Sequence, residues 1–117
     1  MRPRDRRVLL HDMLRAADAI IEFTEDRSFS QYCEDLMLRS AVERQFEILG
    51  EAMSRALRAE PDIERELVGA RTVVDFRNVI AHGYDLLSDR TVWDVATTHL
   101  PALRDRVAGL LSTAERW

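Results

Sequence analysis

Leu38-Arg39-Ser40-Ala41-Val42-Glu43-Arg44-Gln45-Phe46-Glu47-Ile48-Leu49-Gly50-Glu51-Ala52-Met53-Ser54-Arg55-Ala56 is the stretch that decides the fold class of this chain. Its apolar side chains return at α-helical spacing. Leu38, Ala41, Ile48, Ala52 and Ala56 mark one face, widened by Val42, Leu49 and Met53. The spacing predicts a helix from about Glu34 to Ala59. Gly50 in its interior costs about 1 kcal/mol relative to alanine. A close helix–helix contact is the expected reason for a glycine there. Glu60-Pro61 ends the helix, and a proline suits the first turn of the next element.

The same period runs outward in both directions. Upstream, Leu9, Met13, Ala16, Ile20 and Phe23 form a stripe on a helix from about Asp5 to Thr24. Glu25-Asp26-Arg27-Ser28 closes it, and Phe29 and Tyr32 sit in a short helical turn capped by Ser28 or Ser30. Downstream, Asp62 to Ala81 is less regular, with Gly69 as a break point. Its β-branched run Thr72-Val73-Val74 resembles a strand, but Val73, Phe76 and Ile80 share a stripe, so it reads as helix. Gly83 is placed to end that helix in the left-handed conformation. A last helix starts near Ser88 or Asp89 and buries Val92, Val95, Ala96, Leu100, Leu103, Val107, Leu110 and Leu111. Pro101 lacks an N–H and predicts a kink in it. Only four glycines and three prolines interrupt the chain, and no segment alternates cleanly with period two. The expectation is an all-α, antiparallel bundle of four to five helices with a kinked last helix, forming a single domain over residues 1–117.

Composition narrows the function classes. At 117 residues and 46% hydrophobic content the chain can build one core without a disulfide or metal staple. One cysteine, Cys33, allows no internal disulfide, which suits a reducing cytoplasm. No apolar run approaches the roughly 18 residues of a membrane span, and His11, Asp12 and Arg15 interrupt the only apolar run near the start. The chain therefore reads as cytoplasmic, with no membrane partner. A net charge of −4 gives no global attraction to nucleic acid, so any such contact must be local. All seventeen basic residues are arginine. Arginine suits phosphate, but a GC-rich genome produces the same bias and is the preferred explanation. No carboxylate cluster has metal-ligand spacing, so neither a metal nor another cofactor is expected.

One chemical cluster stands out: Arg77-Asn78-Val79-Ile80-Ala81-His82-Gly83-Tyr84. Arginine offers a planar fork of donors to phosphate, and histidine moves protons near neutral pH. In a regular helix Asp75, Asn78 and His82 share one face, and Arg77, Ala81 and Tyr84 another. Arg77 and His82 then point about 140° apart. Either the helix unwinds at His82-Gly83 or the residues meet across a dimer. The plain alternative is a solvated polar stripe. Glu51 either pairs with Arg77 or is a surface carboxylate. His11 and His99 read as plain helix residues, Cys33 as buried, Trp93 as core or interface, and the Arg2-Arg4-Arg6-Arg7 cluster as a solvated terminus.

Arg-Asn-x-x-x-His-x-Tyr at a helix end, in an all-helical chain of this length, resembles the HEPN superfamily and within it the HepT-like toxins. Glu43-Arg44 with Ile48-Leu49-Gly50-Glu51-Ala52, and Val92-Trp93 with Leu100-Pro101, extend the resemblance over nearly the whole chain. The Pro-Trp pair frequent before the signature is replaced by Asp62-Ile63-Glu64-Arg65-Glu66-Leu67. The resemblance implies metal-independent RNA cleavage at a homodimer cleft. His82 would be the base or acid, Arg77 the phosphate clamp, and Asn78 a supporting group. It also implies a nucleotidyltransferase antitoxin that uses ATP to place AMP on Tyr84. The alternative function is a non-catalytic companion that helps a nucleotidyltransferase bind nucleotide or substrate, a role needing no proton-transfer histidine.

Overall fold

The long central helix exists as its period requires, and everything else is arranged around it. In the computed structural model, which describes residues 1–81 and 88–114, the helices are α1 (Pro3–Thr24), α2 (Phe29–Glu34), α3 (Leu36–Ala59), α4 (Ala70–Ala81), α5 (Asp89–Asp94) and α6 (Leu100–Ala114). The architecture is an all-α bundle: α3 packs on α1 and α4, and α1 packs on α6. Arg6, near the start of α1, reaches Glu60 beyond the end of α3, so α1 and α3 run antiparallel. One contiguous core joins the helices, with Met13, Ile20, Val42, Phe46, Leu49 and Val107 among its fully buried members. Among the described residues no helix is long and apolar enough to cross a membrane.

Helix ends follow local chemistry. Pro3 opens α1, where a missing N–H costs nothing, so α1 starts earlier than expected. Ser28 and Gln31 form a capping box on α2, each side chain taking the other's backbone N–H. The break before α3 falls at Asp35, whose carboxylate accepts the Leu38 N–H at 3.0 Å. Glu34 therefore belongs to α2, a correction of the expected start. Between α3 and α4 the less regular stretch expected to read as helix opens instead with a 3₁₀ turn, Pro61–Arg65, and breaks at Gly69. Gly69 then adopts φ +99° and α4 begins directly after it. Ile63 and Leu67 from this linker are buried, which ties it to the core.

The last helical segment is interrupted just before Pro101. Val95–His99 is a π turn in which the Leu100 N–H bonds to the Val95 carbonyl. Widening the turn accommodates a proline that cannot donate to the carbonyl four residues back. On α3, Phe46 is fully buried although the expected stripe omitted it, while Ala41 and Ile48 are only half-buried. Phe46 meets Phe76 of α4 edge-to-face, with ring centroids 5.0 Å apart. The N-terminal arginines are not uniformly solvated. Arg6 is three-quarters buried and clasps Glu60 and Glu66, fastening α1 to the 3₁₀ linker.

Candidate active site

The signature begins on α4 and its first members are described. Arg77 and Asn78 lie in the last turns of that helix, while His82, Gly83 and Tyr84 lie outside the described residues. Arg77 reaches its place because Gly50 faces it from α3. A Cβ on residue 50 would stand 2.3 Å from the Arg77 Cβ and 2.6 Å from its Cγ. The close contact expected at Gly50 is thus with the stem of the signature arginine. Beyond that stem, the guanidinium donates to the Glu51 carboxylate from one terminal nitrogen. From the other it donates to Asn78 Oδ1 at 2.7 Å.

Two neighbours therefore aim one fork. The Arg77 side chain is only 25% exposed and Glu51 46%. An ion pair this open to water is worth about 1 kcal/mol or less, so its effect is to hold direction rather than to stabilise the fold. The Asn78 amide spends its oxygen on Arg77, which joins the two residues despite their sequence adjacency. Asp75, expected on the face of Asn78, is exposed.

Arg77 stands at the edge of an open groove of about 500 Å³ between α1 and α3. The groove has an aliphatic floor of Leu9, Ile48 and Ala52. Its rim alternates in charge, with Arg44 and Arg55 beside Asp12, Glu47 and Glu51. Arg44 pairs with Glu47 at 3.2 Å. Neither Arg44 nor Arg55 stood out in the sequence as a site residue. Their spacing of eleven places puts them about 20° apart on α3, and that was the signal available.

Other singled-out residues fall elsewhere. Trp93 stacks obliquely on Tyr32, centroids 5.4 Å apart, and on Phe29 at 6.3 Å. Cys33 is half-buried, rather than enclosed, and its carbonyl accepts from Arg39. His11 and His99 are exposed. Beside Tyr32, burial pushes the Glu43 carboxyl above the ordinary carboxylate range. Asp89 and Glu47 add to the shift and Arg39 opposes it. Among the described residues no group of three or more His, Cys, Asp or Glu is placed to hold a metal ion.

A helical bundle that presents the arginine of an Arg-x4-His-x-Tyr signature at an open groove defines a protein of the HEPN class, HepT-like. The chain belongs to the ribonuclease HepT-like family, whose model matches residues 13–109. It is 31% identical over 107 residues to "Putative RNase MJ1380" of Methanocaldococcus jannaschii, covering 92% of this chain and 97% of that protein. "Putative RNase MJ0125" of the same organism is 26% identical over 117 residues, covering 98% of each. "Putative RNase TTE0752" of Caldanaerobacter subterraneus subsp. tengcongensis is 27% identical over 105 residues, covering 90% and 93%. No solved structure matches the chain.

Proposed function

We propose that this protein is a metal-independent endoribonuclease, the toxin of a toxin–antitoxin pair, with its active site in a homodimer cleft. The observation that carries the reading is the seating of Arg77. A glycine opposite its stem and two acceptors at its head aim a phosphate-binding fork at a groove. The family membership supplies the context.

In this reading Arg77 holds the scissile phosphate and stabilises charge growing on its oxygens. His82 takes the proton from the ribose 2′-hydroxyl, or gives one to the leaving 5′-oxygen. Two His82 side chains from paired protomers divide the two roles. The 2′-oxygen bonds to phosphorus and the 5′-oxygen departs, leaving a 2′,3′-cyclic phosphate and a 5′-hydroxyl. Neither step requires a cofactor, and DNA, lacking the nucleophile, is not cut. Asn78 orients Arg77.

Control follows from Tyr84, two places after His82. A nucleotidyltransferase partner directs the Tyr84 oxygen onto the α-phosphorus of ATP, and pyrophosphate leaves. The added AMP puts bulk and negative charge beside the phosphate clamp and repels the RNA backbone.

The test is RNA cleavage by protein whose Tyr84 is free by mass, in EDTA, beside His82→Ala. The expected result is cleavage by the wild type and none by the variant. A His82→Ala protein that still cuts removes His82 from the chemistry. A wild type that cuts no cellular RNA favours the companion role.

A further inference from the structure

Arg55 is the one arginine of the α1–α3 groove that no carboxylate holds among the described residues. It lies four places after Glu51, the spacing at which a glutamate and a following arginine pair on a helix surface. Glu51 instead turns to Arg77. The groove thus carries a clamped guanidinium at Arg77. One turn along α3, about 6 Å from the level of Glu51, it carries an exposed and uncommitted second one. Leu9, Ile48 and Ala52 give the same groove its aliphatic lining.

We infer that this groove is a nucleotide subsite for single-stranded RNA, adjoining the phosphate at Arg77. The inference rests on the ribonuclease reading and deepens it. Arg55 takes the neighbouring backbone phosphate through a charge-assisted hydrogen bond. The base between the two phosphates lies on the aliphatic floor of the groove, and the groove's volume of about 500 Å³ admits a nucleotide. Aliphatic side chains offer no hydrogen bonds to a base edge, so the floor itself reads no sequence. Only an unpaired base can turn a face to the floor, which sets the preference for single strands.

Binding is read without cleavage, using a fluorescently labelled single-stranded 2′-O-methyl RNA, which lacks the nucleophile. Anisotropy titrations over a salt series compare wild type, Arg55→Gln, Arg55→Lys and Arg58→Gln, the last an exposed arginine on α3 that does not line the groove. Arg55→Gln should bind about five- to tenfold more weakly. Its slope of log affinity against log salt should flatten by about 0.7, one phosphate contact on a single strand. Arg55→Lys should keep the slope, and Arg58→Gln should match the wild type.

An Arg55→Gln slope equal to the wild type overturns the inference. Equal dependence on Arg55 with duplex RNA overturns the single-strand assignment. Sedimentation of the same proteins covers the remaining occupant. If Arg55→Gln alters self-association and leaves the slope alone, the groove is an interface between copies of this chain. An unchanged slope with cleavage intact sinks this inference alone. A flattened slope without cleavage keeps the subsite and removes the ribonuclease.

Discussion

At residue 50 two opposing effects meet and their sizes decide the outcome. Replacing a mid-helix glycine by alanine ordinarily stabilises by about 1 kcal/mol. Here the new methyl would stand 2.3 Å from the Arg77 Cβ, an atom at the root of its side chain that cannot swing aside. Overpacking of this kind costs about 1–3 kcal/mol. Gly50→Ala is therefore expected to lower stability in urea despite its better propensity. It should also reduce RNA cleavage by moving the Arg77 fork off Glu51 and Asn78. A Gly50→Ala protein as stable and active as wild type would mean that α3 and α4 separate easily.

Among the elements, α3 is the one on which both neighbours depend, since it packs on α1 and α4 together. Its key side chain is Phe46, fully buried and set edge-to-face on Phe76. Phe46→Ala should cost about 3–5 kcal/mol, measured as a shifted denaturation midpoint. A loss under 1 kcal/mol would show that α4 docks without it. The helical character of α3 was legible from Val42, Leu49 and Met53, and Phe46 sits on that same row. The end of α2 at Asp35 and the 3₁₀ linker were less legible, because short-range caps and turns leave no periodic trace. The π turn was foreshadowed only by Pro101, which announces a missing hydrogen bond without saying how the chain absorbs it.

Across the whole molecule, the corner where α2, α3 and α5 meet collects charge that no single helix contains. Burial raises the Glu43 carboxyl, and Asp89 from α5 adds to the shift. A carboxyl raised in the folded state binds protons more tightly there than in the unfolded chain, so its contribution to stability falls as pH rises through that window. Glu43→Gln should be more stable than wild type near neutral pH. The advantage should vanish in acid below the ordinary carboxylate range, where both side chains are neutral. Thermal unfolding across pH reads this directly, and an advantage that persists in acid would assign it to packing. The sequence by itself determined the all-helical class, the long central helix and the signature from Arg77 to Tyr84, because period and motif are local properties. Only the tertiary structure decided that Gly50 seats Arg77, that Glu51 aims it, and that Arg55 shares its groove. Those relations depend on which faces two helices turn toward each other, and no spacing along one chain segment encodes that.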